Sequence, residues 1–124
     1  MKRLEKRMYF LVMYNISDIQ KGIQAGHVVE QYVKEFGESK EYKDYVNNDK
    51  TWIVLSGGTS DNIAEQFEIL KHDIEVDVSC FYEPDLNNSM SAICFLADER
   101  VWNKKDYPDF KNWVNKKYKK WHPM

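Results

Sequence analysis

Residues Met8 to Tyr14 read MYFLVMY, seven consecutive apolar side chains with three aromatics among them. Such a run is too short for a membrane span of roughly 20 residues. It is apolar on both faces, so it cannot be a strand with one wet side. A strand covered on both faces is the reading that fits, and this feature governs the rest. Sheets buried on both faces occur where helices pack above and below, which predicts an α/β architecture.

The following segments fit that frame. Asn15 to Ser17 forms an exit loop, and Ser17 with Gln20 has capping-box spacing. A helix should run from there to about Phe36 and stop at Gly37. Ile19, Ile23, Val33 and Phe36, with Val29 beside them, form its apolar face. A short surface helix is expected within Glu38–Asn48. Thr51–Leu55 (TWIVL) is a second strand. Gly57 and Gly58 break it, and Thr59 or Ser60 caps a helix carrying Ile63, Phe67 and Leu70. Ile74–Tyr82 alternates as a third strand, and Ser91–Leu96 (SAICFL) is a fourth. Asp106 and Pro108 open an amphipathic, lysine-rich helix to about Trp121. The order predicts one α/β domain over residues 1–124, with a core at about 8–97. Its sheet is mixed and four-stranded, with helices on both faces.

The 124 residues are ordinary for one domain, and 43% apolar with 31% charged residues argues against disorder. The basic, apolar N-terminus lacks a small-residue cleavage site, so a leader peptide is not expected. Cys80 and Cys94 sit inside apolar runs and read as small buried hydrophobes. His72 and His122 have no partners at metal-ligand spacing. No metal and no cofactor are expected, and the compartment is read as cytoplasmic. Net charge is −2, from 18 basic against 20 acidic residues, which does not favour a long nucleic acid as partner.

The first helix carries the informative polar groups. Gln20, Gln24, His27 and Gln31 line one face at i, i+4, i+7 and i+11. Three amides and an imidazole suit bases, ribose hydroxyls or peptide groups. Gly22 and Gly26 permit close approach of a backbone or a flat ligand. The helix start offers an anion site, with Lys21 adding charge. The loop after the third strand, Glu83 to Ser89, holds Asp85, Asn87 and Asn88, a usual position for function in α/β domains. Asp85 can orient His27, accept from a ribose hydroxyl or act as a base. A solvated stripe and a plain hairpin loop are the alternative readings of both segments. The Gly57–Ser60 turn lacks the lysine of a phosphate-binding loop and reads as a turn and helix cap.

Tyr9–Met13 followed by Gln20-Lys-Gly-Ile-Gln-Ala-Gly-His27 resembles the first strand and helix of type 2 peptidyl-tRNA hydrolases. Gln24 and His27 fall on that family's Gln and His, Asp85 on its loop Asp, and Ser91 where it often has Thr. The likeness covers roughly Met8 to Leu96 and looks closest to a small phage or bacterial branch. It implies a dimer, with His27 and Asp85 activating water on a peptidyl-tRNA ester. The sequence departs from the pattern in two places. Gln20 holds the family's lysine position with Lys21 one step on, and the segment after Asp85 is short. These departures direct the first expectation to a phage-type protein, placed in the host cytoplasm, that sequesters or cleaves a nucleotide immune signal. A cyclic dinucleotide or ADP-ribose derivative would contact Gln20, Lys21, Gln24, Gln31, Asn87, Asn88 and Ser91. A working hydrolase and a non-catalytic module using the aromatic tail are the alternatives. No membrane partner is expected.

Overall fold

The computed structural model describes residues 2–110 and 122–123. The four expected strands and the first three expected helices are present, with shifted limits. β1 (Lys6–Met13) leads through the Ser17 cap into α1 (Asp18–Phe36). α2 (Lys40–Asn48), β2 (Trp52–Gly58) and α3 (Ser60–Glu68) follow, then β3 (Val78–Glu83) and β4 (Ser89–Asp98). A two-residue strand, β5 (His122–Pro123), pairs with Leu55 and Ser56 on the β2 edge. The sheet order is β3-β4-β1-β2-β5. β1 and β2 are parallel, and the β1–β4 and β4–β3 pairs are antiparallel.

β1 is central, as its sequence requires. Met8, Phe10 and Val12 join Ala25, Val28 and Tyr32 of α1 and Tyr45 of α2 on one face. Tyr9, Leu11 and Met13 join Ile63, Leu70, Val78 and Phe95 on the other. Both helices are capped: Ser17 Oγ accepts from the Gln20 N–H, one half of the expected capping box, and Thr59, rather than Ser60, accepts from the Asn62 N–H. Gly57 is a packing requirement rather than a strand breaker. A Cβ there would lie 2.7 Å from Ile63 and 2.9 Å from Leu11.

Three expectations need correction. The third strand begins at Val78 rather than Ile74. Residues Ile69–Ile74 instead form a π-helical turn that prolongs α3, ended by Glu75 at φ 63°. Ile74 fits two patterns, since it extends the Ile63–Phe67–Leu70 stripe and also starts the Ile74–Val76–Val78 alternation. The helix wins by keeping Leu70 fully buried. The apolar face of α1 is also different. Ile19 is 78% exposed and Val33 43%, while Gln24, Ala25, Val28 and Tyr32 are buried. Finally, residues 106–110 make turns, closed by the Asp106 N–H on Asn103 Oδ1, and not the start of a helix. The remainder of the expected C-terminal helix lies outside the described residues.

An ion-pair network ties the start of β1 to the end of α2. Arg3 Nε donates to Asp44 Oδ1 at 2.9 Å, and Lys6 Nζ donates to Asp44 Oδ2 at 2.7 Å. The Arg3 guanidinium also grips Asp49, which accepts the Lys6 backbone N–H at 3.0 Å. The Arg3 hydrogen bond, then Lys6, hold the Asp44 carboxyl at about 2, below its ordinary 3.8. A carboxyl depressed on folding stabilises above its unfolded value, and that contribution fades as pH falls through the folded value. Removing Arg3 should therefore shift acid unfolding to higher pH. Circular dichroism of Arg3→Gln between pH 5 and about 2 checks this. An unchanged profile would show that the network does not persist in solution.

Candidate functional site

α1 presents four sides, because successive residues turn about 100° around the axis. One side lies on the sheet, over β4, β3 and β1, with little contact to β2. A second faces β3, a third faces the uncovered β2, and the fourth looks outward.

The side toward β3 carries the polar stripe. Gln24 is fully buried, and its Oε1 accepts the hydroxyl of Ser91, itself fully buried. Ser91 reaches it because β4 bulges there: Ala92 pairs with Phe81 and Met90 with Tyr82, leaving Ser91 as the extra residue. The bulge turns Ser91 onto the α1 face beside Ala92. Gln24 Nε2 donates to Gln20 Oε1 at 3.4 Å. Further along, Gln31 Nε2 donates to Glu35 Oε1, which also accepts from Ser79 Oγ at 2.7 Å. The His27 ring stacks on Phe81, with centroids 4.6 Å apart and planes 20° from parallel. Gln20, Gln24 and Ser91 are therefore brought together, and His27 sits close by on β3.

The hairpin loop is arranged otherwise. Asp85 lies exposed in the 3₁₀ turn Pro84–Leu86. No hydrogen bond or ion pair joins it to His27 among the described residues. Asn87 and Asn88 are exposed with φ of 55° and 56°, so they make the reversal itself. Ser79 and Phe81 point at α1, so strand alternation puts Glu83 on that same face. Glu83 is 9% exposed and has no side-chain hydrogen bond among the described residues. It is a carboxylate on the face of His27, as is Glu35 further along, and the sequence pointed to Asp85 instead. The alternation of Ser79, Phe81 and Glu83 was the available signal.

The side toward β2 carries the space. A cavity of about 720 Å³ lies between α1 and α2, lined by Val29, Val33, Lys34, Tyr42, Val46, Lys50 and Trp52 among others. A second, of about 410 Å³, lies by the start of α1 and is lined by Asp18, Lys21, Gly22, Ala25, Trp52 and Val54. Trp52 belongs to both. Its indole is 46% exposed and rests on Phe10, with ring centroids 4.6 Å apart. Lys21 pairs with Asp18 at 3.4 Å. The side chains of Lys34 and Lys50 have no ion pair or hydrogen bond among the described residues. Volumes of this size, apolar walls and a few charged groups are the usual make-up of a small-molecule site. Of this group the sequence pointed to Lys21 alone; Trp52, Lys34 and Lys50 carried no signal of their own. A tryptophan opening a strand reads as core, and only the lean of α1 toward β3 leaves it uncovered.

Elsewhere, burial pushes the Cys94 thiol well up and the Cys80 thiol up. Both are free cysteines, which suits apolar fillers. The described residues hold no group of three or more potential metal ligands, and no helix among them is long and apolar enough to cross a membrane.

The fold and its grooves define an α/β protein with an aromatic-floored cleft along its first helix. No protein-family model and no curated protein sequence matches the chain.

Proposed function

We propose that this protein binds a nucleotide-type ligand, without cleaving it, in the cleft between α1 and β2. The observation that carries the reading is Trp52, a half-exposed indole that floors both cavities with Lys21, Lys34 and Lys50 around it. A base stacked on an indole gains about 1–3 kcal/mol and needs no particular base identity. Lysines on the rim complement phosphates. Gly22 lines the smaller cavity and leaves room beside the indole for a flat ring. The two adjoining volumes suit an extended ligand such as a cyclic dinucleotide or an ADP-ribose derivative. That is the class expected of a phage-type protein that sequesters a host immune signal. The likeness of the β1–α1 segment to type 2 peptidyl-tRNA hydrolases is part of the same proposal, as a scaffold put to binding.

Binding is favoured over hydrolysis because His27 has no carboxylate to orient it among the described residues. It also stands on the β3 side, away from the cleft. Calorimetry and thermal-shift measurements with mononucleotides, cyclic dinucleotides and ADP-ribose derivatives test the proposal. Trp52→Ala should weaken the best ligand by roughly tenfold or more. Lys34→Ala with Lys50→Ala should reduce the salt dependence of binding. If no nucleotide raises the melting temperature, the reading fails. Turnover of a peptidyl-tRNA that disappears in His27→Ala would replace it with the hydrolase.

A further inference from the structure

We propose that the open edge of β3 is a docking edge for another protein, which adds an extended segment of basic sequence to the sheet as a further strand. The edge lies across α1 from the nucleotide cleft, so this inference stands or falls separately from that reading.

β3 is the last strand on its side of the sheet, and among the described residues nothing pairs with its outer edge. The Phe81 carbonyl oxygen lies toward β4, where it accepts from Ser91 Oγ at 3.5 Å. Backbone groups alternate in direction along a strand, so the N–H and C=O of Cys80 and Tyr82 point outward. A free edge of this kind is a template for another chain, and proteins usually block it with lysine, proline or a bulge. Val78–Glu83 (VSCFYE) contains no lysine or proline, and the bulge at Ser91 is on its inner neighbour. Tyr82, on the edge, is 55% exposed.

The charge around the edge selects the partner. Glu35 approaches from α1 on one face, accepting from Ser79 Oγ at 2.7 Å. Glu68 approaches from α3 on the other. Burial raises the Cys80 thiol, and the carboxylates of Glu35 and Glu68 raise it further, which places both within range of one edge residue. Beside the start of β3 a cavity of about 310 Å³ opens between the two helices. Phe36, Phe67 and Val78 give it apolar walls, and Glu35, Glu75 and Asp77 outnumber its one cation, Lys71. Such a space takes the apolar stem and charged head of a lysine or arginine. At the far end of the strand, on the same face as Ser79, Glu83 is 9% exposed and its side chain has no partner among the described residues. A buried carboxylate is normally paired. Its oxygens keep contact with solvent, so the pairing cation can come from outside. Glu83 lies four residues beyond Ser79, about 13 Å along a strand. The added strand therefore carries basic residues four apart on the face toward α1 and apolar residues on the face toward α3.

Fluorescence anisotropy of the full chain with a labelled synthetic peptide, Ser-Lys-Val-Thr-Val-Lys-Val-Ser, tests the proposal. The peptide should bind, and its counterpart with glutamate for both lysines should not. Glu35→Gln with Glu83→Gln should weaken binding by about tenfold or more, with a circular dichroism spectrum unchanged from the wild type. Methylation of the peptide's backbone amides reads the strand pairing. Methylating one alternate set of residues should abolish binding, and methylating the other set should leave it, because only one set faces β3. A basic peptide that fails to bind, an acidic one that binds as well, or two methylated peptides that behave alike overturns the proposal. Self-association in sedimentation that the double variant abolishes would give the edge to a second copy, and overturns it too.

Discussion

Replacing Gln24 by alanine should lower unfolding free energy by about 2–4 kcal/mol, a large share of the roughly 5–15 kcal/mol typical of a domain. Two costs combine. The amide is fully buried between α1 and the sheet, so its loss leaves a cavity that the rigid surroundings fill only in part. Its Oε1 is also the acceptor of the buried Ser91 hydroxyl. Without it, that hydroxyl keeps, among the described residues, only the Phe81 carbonyl oxygen at 3.5 Å. Urea denaturation measures the loss. The companion variant decides its cause. Gln24→Leu with Ser91→Ala removes donor and acceptor together and restores apolar volume, so it should recover most of the stability. If it is as unstable as Gln24→Ala, the hydrogen bond is not what the buried amide contributes. A ligand-contacting role for Gln24 would show instead as lost affinity in a protein of unchanged stability.

Phe10→Ala should cost about 3–5 kcal/mol, since it empties a fully buried aromatic site on the central strand. The same change reaches the cleft. The Phe10 ring supports the Trp52 indole. Without that support the indole has more freedom to lose when a ligand binds. Phe10→Ala should therefore weaken nucleotide binding even under conditions where the protein remains folded. Phe10→Leu should lose less of both. Denaturant titration gives the first effect and calorimetry well below the melting temperature gives the second. An unstable variant with full affinity would show that the cleft does not depend on its floor.

The polar stripe on α1 shows how one sequence pattern divides between structure and function. Gln20, Gln24, His27 and Gln31 share one helical face, as their spacing requires. Their surroundings differ: Gln24 is sealed against Ser91, Gln20 is exposed, and His27 lies flat on Phe81. Periodicity places residues on a face but says nothing about what that face meets. The same holds for Ser79, Phe81 and Glu83. Alternation puts them on one side of β3, and only the packing shows that this side lies beneath α1.

Features that depend on neighbours along the chain were legible in the residues alone. The continuous apolar run demanded a strand covered on both faces, and β1 is one. Ser17, Thr59 and Gly37 marked helix ends through bonds spanning three or four residues. The α/β class with helices on both faces followed from these. Which side of α1 turns inward was left to long-range packing, because apolar side chains occur on every side of that helix except the polar stripe. Contacts made from a distance fix it: Ala25, Val28 and Tyr32 pack on the sheet, and Ser91 offers a hydroxyl to Gln24 across 67 residues. That choice tips α1 over β3 and β4, bares Trp52 beside β2 and leaves Ile19 and Ile23 facing outward. Burial is a property of what packs on a residue, and contacts so far apart in the chain leave no local mark in its sequence.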